Sequence, residues 1–139
     1  MRAVQKSLRI PQETLEEIER IADESGRDFS STAKDLLAEA IKIRRCPGVI
    51  FADGVSGRRA RVAGTGLEIW EIITTYKSVN QDFRRFRKAY HWLTEHQLRT
   101  AIGYYIAYSG EIDRQIERNE LWSKEAVIKH HPFLSRGDM

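Results

Sequence analysis

At 139 residues, 41% hydrophobic and 31% charged, the chain has the size and composition of one soluble domain or two very small ones. It holds no apolar run near the ~20 residues that span a bilayer, and its one cysteine, Cys46, excludes an internal disulfide. The formal net charge is +3 and the basic excess is concentrated: residues 1–45 carry nine basic and nine acidic side chains, residues 46–108 nine and five, residues 109–139 five and six. Because "MRAVQKSLRI" lacks the apolar core of a secretory signal, the expected location is cytoplasmic.

The first element is "VQKSLRIP", whose alternation puts Gln5, Ser7 and Arg9 on one face and Leu8 and Ile10 on the other, so it reads as a short strand. "PQETLEEIERIADESG" follows as a helix. Pro11 suits its first turn, Glu13, Glu16 and Glu17 favour the positive end of its dipole, and Leu15, Ile18, Ile21 and Ala22 form an apolar stripe. Gly26 ends it. A second helix is expected from "SST", capped by Ser30 or by Thr32 with Asp35 completing a capping box, and with Ala33, Leu36, Leu37, Ala40 and Ile41 on one face. Pro47 and Gly48 stop it, which sets a domain boundary after residue 45.

Beyond that boundary, "VIFA" and "RARVA" flank the Gly-rich "DGVSG" as a hairpin. "TGLEIWEIITTYK" is expected to be the most apolar helix, with Thr65 and Glu68 at capping-box spacing. A short basic helix, "QDFRRFRKAY", turns Phe83 and Phe86 inward and Arg84, Arg85, Arg87 and Lys88 outward. Thr94 and Gln97 repeat the capping-box spacing before "TEHQLRTAIGYYIAYS". A last helix follows Ser109, with Ile112, Ile116 and Trp122 on a thin apolar side, and residues 123–139 read as a tail.

An isolated strand near the N-terminus must pair its backbone groups, since each buried orphan costs roughly 1–3 kcal/mol. It can join the 49–63 hairpin or pair with the same strand of a second chain about a twofold axis. The stretch "VQKSLRIPQETLEEIERIADESGRDFSSTAKDLLAEAI" resembles the ribbon-helix-helix family of DNA-binding dimers over residues 4–44. The resemblance implies an intertwined homodimer whose ribbon enters the DNA major groove, with Gln5, Ser7 and Arg9 facing the bases. Arg suits guanine and Gln suits adenine in such contacts. Phosphates would meet the start of the second helix, where Ser30, Ser31 and Thr32 converge with free backbone amides. Lys6 departs from the family's pattern, standing where an apolar residue is usual.

"GRRARVAGTGLEIWE" and "HWLTEHQLRTAIGYYIAYSGEID" resemble the hairpin-led helical domain of VapB-type antitoxins, over residues 46–120. That resemblance implies a PIN-like ribonuclease toxin as partner. Helices 81–90 and 94–108 have the dimensions of a helix-turn-helix. They either present Glu95, His96 and Arg99 to DNA or pack on helix 66–77. Arg58, Arg59 and Arg61 are either phosphate contacts or surface salt-bridge partners. Together with Arg84, Arg85 and Arg99 they form a candidate second nucleic-acid surface.

No acid–base or nucleophile constellation stands out. His91 and His96 do not share a helical face, and His130 and His131 lack carboxylates at ligand spacing, so neither a metal nor any other cofactor is expected. Cys46 reads as an inert thiol, "GTG" at 64–66 as a tight turn, and Tyr104, Tyr105 and Tyr108 as core and interface. The expected fold is mainly α (α+β). It has a ribbon-helix-helix unit at 1–45, a hairpin-led helical domain with a helix-turn-helix-like unit at 46–122, and a tail at 123–139. The expected function is non-enzymatic: a repressor binding a double-stranded DNA operator as a homodimer or an oligomer of dimers, and the antitoxin to its toxin. The alternative is a stand-alone regulator whose second domain senses a ligand or mediates oligomerisation.

Overall fold

The computed structural model describes residues 2–130, with side chains as far as Glu125. Residues 2–11 carry no regular secondary structure. The elements that follow are α1 (Gln12–Ser25), α2 (Phe29–Arg45), β1 (Val49–Gly54), β2 (Gly57–Val62), α3 (Ile69–Ser78), α4 (Phe83–Ala89), α5 (Glu95–Ala107) and α6 (Ser109–His130). The fold is therefore mostly helical, with one two-stranded antiparallel sheet among the described residues. Two units divide the chain, residues 1–42 and 43–139, and the division falls inside α2. No described helix is long and apolar enough to cross a membrane.

In the first unit, Pro11 stands ahead of α1 as its N-cap, with ψ at 146°, and not in the first turn as expected. Its carbonyl accepts from the Leu15 N–H at 3.0 Å. Gly26 closes the helix in the left-handed region, φ 68°, where a Cβ would crowd the next carbonyl. The start of α2 differs from the sequence expectation. Neither Ser30 nor Thr32 is the cap: Asp28 is, accepting from the Ser31 N–H at 2.7 Å and the Ser31 hydroxyl at 3.1 Å. A carboxylate at that position satisfies an orphan N–H and faces the positive end of the dipole, so it outcompetes a hydroxyl further along. Asp35, assigned to a capping box with Thr32, bonds Arg27 instead.

The strand expected at residues 4–10 is absent from a single chain, and the sheet of the second unit consists of β1 and β2. Of the two ways to pair that segment, addition to the hairpin is thus not taken.

The second unit is built on the hairpin. Val49 opposes Val62 and Phe51 opposes Ala60 on its inner face, while Ile50 opposes Arg61 and Ala52 opposes Arg59 on the other. Its core joins Val49, Ala60 and Val62 to Ile69, Ile72 and Ile73 of α3, Phe86 of α4, Leu98, Ala101 and Tyr104 of α5, and Ile112 of α6. The capping box of α3 lies three residues beyond the expected one, and pairs Glu68 with Glu71, whose carboxylate accepts from the Glu68 N–H at 3.1 Å. The Thr65 hydroxyl is spent in the preceding turn, donating to the Val62 carbonyl at 2.7 Å and accepting from the Leu67 N–H at 3.0 Å. At α5 the expected Thr94–Gln97 box is formed in both directions, at 2.9 and 3.0 Å.

Two corrections concern α6. Ile112 and Ile116 face the core, but Trp122 is 69% exposed, because the stripe drifts off the core beyond Ile116. The helix also continues through His130, so the expected tail boundary after 122 falls within it. The helix is tied back by a polar clamp: Asp113 accepts from Lys77 of α3 and from the Tyr105 hydroxyl of α5, both at 2.8 Å. The bond from Lys77, and after it the one from Tyr105, hold the Asp113 carboxyl below its ordinary value, and the Asp113 bond raises Lys77.

Between α3 and α4, Asn80 and Gln81 both have positive φ, 56° and 61°. Asn tolerates this region through its short polar side chain; Gln does not, and a left-handed residue costs about 1–2 kcal/mol. Replacing Gln81 with Gly removes that cost against about 0.5–1 kcal/mol of added chain entropy, so Gln81→Gly should stabilise by about 0.5–1 kcal/mol. Gly26→Ala, which places a Cβ in the same backbone region, should destabilise by about 1 kcal/mol. Urea unfolding of the two variants checks both signs.

Candidate nucleic-acid interface

In the first unit, the side chains assigned to base contact, Gln5, Ser7 and Arg9, are all exposed, and so are Val4, Leu8 and Ile10 on the alternate positions. The helices repeat this pattern. Among the described residues of this unit only Ala22 and Thr32 are buried. The apolar stripe read from the sequence is partly uncovered: Leu37 is 63% and Ile41 54% exposed and Leu15 and Ile21 are also in water, while Ala22 is buried and Ile18, Ala33 and Leu36 are half-buried. Isolated surface leucines are ordinary, but several apolar side chains of one helical stripe left in solvent mark an interaction face.

The three hydroxyls at the start of α2 are not equivalent. Thr32 is 4% exposed and its hydroxyl donates to the Asp28 carbonyl at 2.8 Å. Ser31 is engaged by Asp28. Ser30 is exposed. Asp28 was not among the residues singled out from the sequence, although its place directly before Phe29 and three residues before Ser31 is a legible N-cap spacing.

The second unit disperses the arginines of its candidate surface. Arg58 lies 3.5 Å from Asp53, and Arg61 lies 3.7 Å from Glu68. Arg59 is 6% exposed, with its guanidinium 3.3 Å from the Ser56 carbonyl. The hairpin arginines therefore do not form one cationic face. On α4, Arg84, Arg85, Arg87 and Lys88 point outward as expected, while Phe86 is buried and Phe83 half-buried. Asp82 caps this helix by accepting from the Arg85 N–H at 3.2 Å. Glu95 sits between two cations, 2.5 Å from Arg87 and 3.2 Å from Arg99, and the Arg99 guanidinium lies 4.7 Å above the Phe83 ring. So α4 and α5 are bound to each other by a network that uses Arg99, and α5 is also packed on α3 through its buried residues.

Tyr104 is fully buried and its hydroxyl donates to Glu111 at 2.6 Å. Burial first, then Glu111, push its phenol far above the ordinary range. Burial also raises the Cys46 thiol above its ordinary value of 9.0, against the pull of Arg45. A raised thiol stays protonated at neutral pH and is a poor nucleophile. Among the described residues no three His, Cys, Asp or Glu side chains gather as a metal site. His131 lies outside the described residues.

Neither a known protein family, nor a curated protein, nor a solved structure matches this chain.

The Asp28 cap makes a checkable pH dependence. The Ser31 N–H, then the Ser31 hydroxyl, hold its carboxyl below the ordinary 3.8. A carboxyl depressed in the folded state contributes stability that is present above its unfolded value and lost as pH falls through the folded one. Asp28→Ala should therefore lower the melting temperature at neutral pH, and the gap to the native chain should close as pH drops below the carboxylate range. Paired thermal melts across pH measure it.

Proposed function

We propose that this chain is a DNA-binding transcriptional repressor that works as an intertwined homodimer, and that it serves as the antitoxin of a toxin–antitoxin pair. The observation that carries the reading is the uncovered part of the apolar stripe of α1 and α2, together with an N-terminal segment of alternating pattern that joins no strand among the described residues. A second copy answers both needs at once. Two such segments pair edge to edge about a twofold axis, and the stripes on Leu15, Ile21, Leu37 and Ile41 cover one another.

In that assembly the polar face of the ribbon carries Gln5, Ser7 and Arg9 into the major groove, with Arg9 the main reader of guanine. The exposed Ser30 and the first amides of α2 meet a phosphate, beside the Asp28 cap. Repression is steric and needs no catalysis: the dimer occupies an operator near its own promoter. The toxin half of the proposal rests on the resemblance of residues 46–120 to VapB-type antitoxins, with a PIN-like ribonuclease as the protein neutralised.

Two measurements test the reading. A dimer-stabilised first unit should melt at lower temperature on dilution, and Leu37→Glu should give a monomer without operator binding. Concentration-independent melting with a monomeric mass in the ultracentrifuge would remove the ribbon. Arg9→Ala should lose about 1–3 kcal/mol of operator discrimination while leaving the dimer intact, and log affinity should fall with log salt at about −0.9 per phosphate contacted. An unchanged operator preference in a gel-shift series would overturn the assignment of Arg9.

A further inference from the structure

Within residues 43–139, a cleft of about 300 Å³ lies between the 45–47 corner and one face of α5. Its size is near the lower end of the ~300–1,000 Å³ range of small-molecule sites. The α5 side is a single helical stripe, His96, Arg99, Thr100, Gly103 and Ala107, at spacings of three and four. Pro47, Gly103 and Ala107 give it an apolar lining, beside Arg45, His96 and Arg99.

Gly103 gives this cleft its meaning. A glycine inside a helix is less stable than alanine there, so its presence calls for a reason. The usual reasons fail: its φ is not positive, and an added Cβ would meet no atom within 4 Å. Neither backbone conformation nor close packing requires it. What the missing side chain leaves is the open space of the cleft, one turn before the small Ala107.

Arg99 is fixed from two sides, its guanidinium over the Phe83 ring and its Nε donating to Glu95 at 3.2 Å. Glu95 engages its Nε, one of the five N–H donors of a guanidinium. The Thr100 hydroxyl is committed to the His96 carbonyl at 2.9 Å, which leaves the cations as the groups that select charge.

We propose that this cleft is a binding site for a small organic carboxylate with a compact apolar body. Its carboxylate meets Arg99 and Arg45, and its hydrocarbon part covers Pro47, Gly103 and Ala107. The proposal is independent of DNA binding, and its test contains no nucleic acid.

The probe is benzoate, titrated calorimetrically into the full chain, with benzyl alcohol and acetate as partners lacking the charge or the apolar body. The expected result is saturable benzoate binding, with each control weaker by at least about tenfold, a difference of about 1.4 kcal/mol. Gly103→Leu should fill the cleft and abolish binding while its melting temperature stays at or above that of the native chain. If that variant fails to fold, the pair Arg45→Gln and Arg99→Gln decides, each expected to weaken benzoate at least about tenfold. Absence of saturable binding to the native chain overturns the proposal. So does binding that survives these substitutions, or benzyl alcohol bound as tightly as benzoate.

Discussion

The packing of α3 against α5 and α6 depends on taking Ile69, Ile72, Ile73, Leu98, Ala101, Tyr104 and Ile112 out of water together, and each of them is left without exposed surface. Burying a large side chain of this kind contributes about 1.5–3 kcal/mol. The inner face of the hairpin joins them through Val49, Ala60 and Val62, and the edge of Tyr104 meets the Phe51 ring at 6.5 Å. The Tyr104 hydroxyl, carried into this core, is satisfied by Glu111 at the start of α6. With its inner face packed in this way, α5 presents His96, Arg99 and Gly103 on its outer face.

Residues 1–42 follow the same physics to a different end. Their helices carry an apolar stripe of ordinary strength, yet two short helices without a covering layer cannot remove it from solvent. A stripe in water is a liability for a monomer and a driving force for association. That asymmetry, one unit with a closed core and one with an open face, is why the proposed function assigns self-association to the N-terminal unit. The same comparison leaves recognition of a small ligand to the C-terminal one.

Charge shows how far counting falls short of a surface. The basic excess of the middle third looks like a patch for nucleic acid when summed along the chain. In the fold, Arg58 faces Asp53, Arg61 faces Glu68, Lys77 faces Asp113, and Glu95 holds both Arg87 and Arg99. Arg59 is buried. What stays displayed on α4 is Arg84, Arg85 and Lys88. Exposed ion pairs add little stability, but they do fix where a cation points.

Local chemistry is legible in the sequence wherever the interacting groups are a few residues apart. The stop at Gly26, the Thr94–Gln97 box, the hairpin and the inward Phe86 and Ile112 all follow from spacing and side-chain type. The same reasoning placed the caps of α2 and α3 a few residues from their true positions, because several capping residues compete there and tertiary packing selects among them. It ended the last helix early, since the sequence beyond Trp122 shows weaker apolar periodicity. Only the tertiary structure decided which apolar stripe is covered and which is not, which arginines are neutralised, and that Gly103 faces open space. These depend on atoms far apart in the chain, and distance along the sequence carries no record of distance in the fold.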